Sequence, residues 1–363
     1  MVWSDVKKPI FKYIMTLVIV LLVSIPSMSQ EAKETKSSFS GTLIESTIGV
    51  LKETESFIEE TLDSRDSVYI SPDLYNLTVM PQYSYCYEYY RFSSVSSEQS
   101  ITLAPDSRNK IGLYFGWRWI FLGYSFDLSN DKPLSDINFS FYTSAIGIDL
   151  FYRERSEGYR IKRLNGFYSE ENKELKYYKH RFNGLSVKQK GANLYYIFNH
   201  DKFSYPAAYN HTTNQRISAG SFILGLSYNE QSFFFNHGKF DTPIRVQLDE
   251  ELKFDKVKYK DFSINFGYSY NWVFAKDFLA NISITPAIGY KNTSFKLNNG
   301  NELLSSINFD LITRAAIVYN NSRYYAGASL VSNTYSYTKN SLSILNGFGV
   351  VNIYFGVNFW RRK

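Results

Sequence analysis

Beyond Asp66 the chain alternates apolar or aromatic residues with small or polar ones in steps of two, and it does so to its end. That period belongs to extended strands, whose successive side chains point to opposite faces. Tyr83, Tyr85, Tyr87 and Tyr89 stand between Ser84, Cys86, Glu88 and Tyr90, so one face is a ladder of phenols. Ile111, Leu113, Phe115 and Trp117 alternate with Gly112, Tyr114, Gly116 and Arg118, and Ile120 to Leu128 repeats the pattern. Similar runs predict strands at 137–152, 191–199, 218–228, 262–274, 279–290, 307–319, 324–337 and 347–359. With 76–91, and with 158–164 admitted as a short fifth strand of low apolar character, the total is about 12.

Alternation is shared by soluble sheets, and three further features favour a membrane barrel. Many of the runs extend to about ten residues or more, the length that crosses an outer membrane at a tilt. Aromatic residues gather at strand ends, as at Trp117 and Trp119, Tyr124, Trp272 and Phe274, Tyr324 and Tyr325, and Phe359 and Trp360, where an interfacial girdle belongs. Connections come in two sizes: tight near Trp119 and at 154–158, 275–277 and 320–323; long and polar at 92–108, 165–185, 230–260, 292–304 and 338–346. Short turns inside and long loops outside are the usual asymmetry of such barrels. If 76–91 runs outward, every tight turn falls on the inner side; residues 200–215 are long for an inner connection. The expected fold is therefore all-β, a transmembrane antiparallel up-and-down barrel of about 12 strands. A soluble β-sandwich is the alternative, in which the same stripes would be buried between two layers.

The preceding segment sets the compartment. Lys7, Lys8 and Lys12 precede an apolar core from Tyr13 to Val23, Pro26 interrupts it, and Ser27-Met28-Ser29 supplies small residues of the kind cut by signal peptidase. Residues 1–29 thus read as a cleaved secretory signal, with a retained N-terminal anchor as the alternative. No cysteine lies near the cleavage site, which disfavours a lipid-anchored protein. Within the polar stretch 30–66, Ile44, Ile48, Leu51, Ile58 and Leu62 fall at helical spacing, predicting one amphipathic helix in the periplasm, either a tether or a plug or partner-binding element. Residues 67–363 form the barrel.

Composition narrows the function classes. The 363 residues include 31 Tyr, 29 Phe and 5 Trp, too aromatic for a disordered chain, and one cysteine, which rules out a disulfide scaffold. A mean hydropathy of −0.28 and a single apolar segment exclude a polytopic helical transporter. The net charge of +6 is spread without a basic block and does not point to nucleic acid.

The stretch NLYYIFNHDKFSYPAAYNHTTNQRISAGSFILGLSY from Asn193 resembles the signature of the Gram-negative surface proteins grouped as domain of unknown function 4421. NKIGLYFGWRWIFLGYSFDL from Asn109 and INFSFYTSAIGIDLFYRERSEGY from Ile137 resemble the same family's earlier strands, in order. The resemblance implies an outer-membrane β-barrel and no assigned activity. The final strand, Ile353 to Trp360, is similar to the assembly signal read by outer-membrane insertion machinery, although Arg361, Arg362 and Lys363 follow the aromatic.

Candidate chemistry is sparse. His180, His200, His211 and His237 show no metal-ligand spacing, so neither metal nor cofactor is expected. His200, Asp201, Ser204 and His211 could supply a nucleophile, a base and its orienter for lipid hydrolysis; the bland reading is a polar turn pinned by Pro206 with Phe203, Tyr205 and Tyr209 packed under the rim. Ala219 to Gly225 lacks the Gly-Lys-Ser/Thr ending of a phosphate loop. Arg118, Asp149, Arg153 and Arg155 are expected in the lumen or at the rim, as a structural network or a selectivity lining, because a charge facing lipid costs about 2 to 4 kcal/mol. No catalytic residue is assigned. The expected partners are outer-membrane lipid, the insertion machinery and a periplasmic or surface protein, and the expected role is structural or interaction-based at the cell surface. A narrow solute channel and a lipid-directed enzyme are the alternatives.

Overall fold

The computed structural model describes residues 65–361 other than 73, 118–119, 129–134, 170–172, 176–179, 298–299 and 340. The segments expected as signal peptide and amphipathic helix, together with Arg118 and Trp119, lie outside the described residues. The strands are β1 (Ile70–Pro72), β2 (Tyr75–Ser94), β3 (Ser100–Pro105), β4 (Arg108–Trp117), β5 (Ile120–Asp127), β6 (Ser135–Tyr142), β7 (Ile146–Arg155), β8 (Tyr159–Asn165) and β9 (Arg181–Phe182). They continue with β10 (Leu185–Ile197), β11 (Thr213–Gln215), β12 (Ala219–Phe235), β13 (Lys256–Ala275), β14 (Phe278–Leu297), β15 (Gly300–Asn320), β16 (Tyr324–Lys339) and β17 (Leu342–Arg361). Two short helices, α1 (Tyr205–Tyr209) and α2 (Thr242–Arg245), occupy connections.

Every strand pairing among the described residues is antiparallel. Along the sheet the order is β6-β7-β10-β12-β13-β14-β15-β16-β17-β2-β4-β5, so the first and last long strands, β2 and β17, lie side by side. These twelve strands form the barrel, in agreement with the number expected. The twelve are not the same set, however. The run read as a single strand at 137–152 is a hairpin, β6 and β7, turned at Thr143-Ser144-Ala145, where the Ile146 amide donates to Thr143 Oγ1 at 2.9 Å. Residues 159–165 are not a barrel strand: β8 pairs with β3 and β9. The tight turn at 154–158 is therefore at the outer end, because Arg155 pairs with Val187 at the same end as Phe235 and Lys256. The basic residues that weakened 158–164 have a simple role there. Arg160 and Lys162 point to water and meet Asp106 at 2.8 and 3.6 Å, while Tyr159, Ile161 and Leu164 turn inward and are buried.

The segments at 292–304 and 338–346 are not long loops either. The strands simply continue past the membrane, with β14 pairing β15 from Leu297 and Gly300 and β16 pairing β17 from Lys339 and Leu342.

The alternation is inside-out relative to a soluble protein. On β13, Phe262, Ile264, Phe266, Tyr268 and Tyr270 are exposed, while Ser263, Asn265, Ser269 and Asn271 are 0–4% exposed. Neighbouring strands agree: Leu224, Leu226, Ile284, Ile288 and Phe309 face out, and Ser221, Asn229, Ser283 and Asn308 face in. Among the described residues these stripes are not buried between two layers, which sets aside the sandwich alternative. With steps of about 3.3 Å and a tilt of about 40°, the outward run from Phe262 to Trp272 rises roughly 25 Å, the height of an outer-membrane apolar band. Trp272 and Phe274 mark its inner edge as a girdle should, but Tyr325 is turned inward and buried. Its ring covers Gly356 on the adjacent strand, where any Cβ would overlap it.

Candidate functional site in the barrel lumen

The lumen is stratified. At the inner end, residues 198–218, the connection too long for a turn, fold back into the barrel. Ser204 caps α1, accepting from the Ala207 amide at 3.1 Å, and Pro206 stands in the first turn where its missing N–H costs nothing. Phe203, Tyr205, Ala207 and Ala208 are all 0–2% exposed. Tyr205 donates to Ser283 Oγ at 2.8 Å, Tyr209 donates to Asn281 Oδ1 at 2.6 Å, and Asn271 Nδ2 donates to the Ser204 carbonyl at 2.8 Å. The polar inward face of β13 and β14 thus holds a plug supplied by the chain itself.

The sequence-derived triad is not assembled into a line of transfer. The Ser204 hydroxyl is engaged by Thr213 Oγ1 at 2.6 Å and by the Ala207 amide. His211 lies with its ring 4.6 Å from Tyr325 and 4.5 Å from Tyr354, and burial lowers it to about 3, so it is neutral at physiological pH. His200 meets Asp201 at 3.4 Å. The bland reading of a turn pinned by Pro206 describes this segment, with the addition that it enters the lumen.

At the outer end the inward face becomes apolar. Phe92, Ile101, Leu103, Tyr159, Phe233 and Phe235 are fully buried and join Leu252 and Phe254 of the 236–255 connection and Ile344 of β17 in one core. Phe92 sits at 5.1–6.1 Å, centroid to centroid, from Phe233, Phe235 and Phe254. Residues 92–108 and 230–260, expected as polar loops, therefore contribute the centre of a packed cap.

Between plug and cap lies a chamber of about 600 Å³. Its charged lining comes from β4, β7 and β15: Lys110, Asp149, Arg153, Asp310 and Arg314. Arg314 binds Asp149 and donates to the Tyr142 hydroxyl at 2.9 Å, with Tyr195, Tyr205 and Tyr209 rings at 5.6–6.0 Å from the guanidinium carbon. Arg153 stacks on Phe348 at 3.8 Å. Arg155 meets Glu88 at 2.8 Å between chamber and cap. At the same height Lys291 is fully buried, donating to Asp310 at 2.8 Å and to the Ser336 carbonyl at 2.7 Å, with Asp261 at 4.0 Å. Buried charges this closely paired are costly to break, since either partner left alone is stranded in low dielectric.

Asp149, Arg153 and Arg155 thus occupy the lumen as the strand pattern required. Arg314 and Glu88, which pair with Asp149 and Arg155, and the separate Lys291–Asp310 pair carried no local signal; only their inward parity on long strands could have marked them. Among the described residues no group of three or more His, Cys, Asp or Glu side chains is placed to hold a metal.

The family model described as "Domain of unknown function (DUF4421)" matches residues 64–359. The chain belongs to this family. Among curated proteins, none matches the DUF4421 chain. Similar solved structures include the outer membrane protease OmpT of Escherichia coli, with 10% identity, covering 80% of this chain and 98% of that one at a TM-score of 0.37. The translocator domain of the autotransporter NalP of Neisseria meningitidis has 8% identity, covering 88% and 99% at 0.30. Ail, the attachment invasion locus protein of Yersinia pestis, has 9% identity, covering 76% and 99% at 0.23.

Proposed function

We propose that this DUF4421 protein resides in the outer membrane as a barrel closed in its resting form and acts there as a structural or interaction protein, presenting its packed outer end to surface partners. The supporting observation is that, among the described residues, both ends of the lumen are occupied: α1 and its flanks fill one, and the Phe92 core fills the other. A rigid outer platform is what a recognition role needs, and a filled lumen is what a constitutive pore lacks. The role is non-catalytic, and β17 serves as the segment handed to the insertion machinery.

Single-channel recording in planar bilayers tests this. The intact protein is expected to give no steady conductance, and sustained openings would overturn the closed-barrel reading. A gated passage is the second reading, favoured by the chamber of about 600 Å³ with its arginine and carboxylate lining. It predicts transient openings that increase when residues 203–211 are replaced by a short Gly-Ser turn.

A further inference from the structure

The outer surface of β7, β10, β12 and β13 changes character within one step along the strands. One cross-strand row reads Leu150, Ala192, Tyr228, Phe262 and Tyr290, which belongs to the apolar band. The next row outward reads Tyr152, Lys190, Glu230, Lys260 and Asn292, and the one after it Glu154, Lys188, Ser232, Lys258 and Ser294. Lys256 follows beside Phe234. Five lysines, on β10 and β13 to either side of β12, therefore stand directly above the lipid-facing rows, against two carboxylates.

Those carboxylates hold the lysines in place without cancelling them. Glu230 receives Lys258 at 2.8 Å and Lys190 at 3.1 Å, and Glu154 receives Lys188 at 3.1 Å. Tyrosine hydroxyls at the edge of the band complete the arrangement, Tyr228 donating to Glu230 at 3.2 Å and Tyr152 donating to Glu154. Lys256 and Lys260 enter none of the ion pairs formed among the described residues. On β16 and β17 the comparable height carries Ser336, Thr338 and Ser343, with Thr338 and Ser343 bonded to each other at 3.1 Å, and the row through Ser336 runs on to Arg91 and Arg163.

We propose that this lysine field is a docking site for the phosphorylated sugar headgroup of an outer-leaflet glycolipid. The inference rests on the outer-membrane reading above. Its chemistry follows from position: acyl chains would lie along Leu194, Leu226 and Ile264, and phosphates at the top of those chains would meet ammonium groups set at headgroup height. A soluble anion would gain only the charge; a glycolipid gains charge and apolar contact together.

The test uses the full-length protein in detergent and native mass spectrometry with two probes, a diphosphorylated acylated glucosamine disaccharide and the same glycolipid without phosphate. The phosphorylated probe is expected to bind about tenfold or more tightly, and K256Q/K260Q, which leaves both carboxylate clamps intact, is expected to weaken it by about the same factor. K188Q/K190Q/K258Q/K260Q should weaken it further, and E154Q/E230Q should strengthen it. Equal binding of the two probes, binding unchanged in K256Q/K260Q, or full competition by millimolar inorganic phosphate would each overturn the proposal. Because binding is read in detergent, fractionation of the cell envelope reports separately on the outer-membrane reading.

Discussion

Strand β13 contains two regions with opposite rules. In its outer part Val257 and Tyr259 point inward and Lys256, Lys258 and Lys260 point outward; below Asp261, the inward positions are Ser263, Asn265, Ser269 and Asn271 and the outward ones Phe262, Ile264 and Phe266. The backbone, period and register do not change. What changes is the solvent beyond the outward face, water above and hydrocarbon below. Where water lies outside, the hydrophobic effect drives apolar groups inward; where lipid lies outside, it does not distinguish the faces in that way, and the interior is left to hydrogen bonds. Asp261, Lys291 and Asp310 sit where one rule gives way to the other.

The cap is where the aqueous rule carries the largest energy. Phe92→Ala removes a fully buried ring from among Phe233, Phe235 and Phe254 and is expected to cost about 3 to 5 kcal/mol locally. Limited proteolysis should then cut the outer connections while the barrel keeps its heat-dependent migration on detergent gels. If cap and barrel unfolded together, the two regions would be a single cooperative unit.

A smaller effect is expected from the lipid side. Ile264→Arg should destabilise the barrel by about 2 to 4 kcal/mol in urea titrations from vesicles, whereas Lys258→Arg, three rows further out, should be nearly neutral. Comparable costs for both would mean the apolar band extends over the lysines.

The smallest effect sharpens the boundary. Glu230 stands above the apolar band, where the Lys258 ammonium hydrogen-bonded to it, assisted by Lys190, lowers its carboxyl from the ordinary 4.5 to about 2. A lowered carboxyl stabilises the fold above its unfolded value, and that contribution is lost as pH falls from about 4.5 to 2. Glu230→Gln should therefore cost under about 1 kcal/mol at pH 7 and nothing near pH 2. A difference that grew on acidification would place the carboxylate in a different environment.

Most of the barrel was legible. The stripes at 262–274, 279–290 and 307–319 are strands β13, β14 and β15, because on a two-sided wall both neighbours leave their periodicity intact. The reading failed where chain direction reversed without breaking the alternation, as at Thr143-Ser144-Ala145, and where a strand left the lipid, as at β8, whose outward Arg160 and Lys162 follow the aqueous rule. The same confusion made loops of 292–304 and 338–346: polar residues on the outside of a strand above the membrane look like loop residues. The plug was half visible. Pro206 and its aromatics marked a fixed turn, but nothing local says that such a turn is drawn into a lumen.

Taken alone, the chain dictated the period and the lipid-facing side, since each follows from the solvent met by a single strand; the number of crossings agreed only because the hairpin hidden in 137–152 offset the loss of 159–165. The pairings inside were decided only by the assembled barrel. Asp149 and Arg314 are separated by 165 positions, and Tyr205 reaches Ser283 across the lumen. Closing the sheet brings such groups together, and burial then obliges each to find a partner.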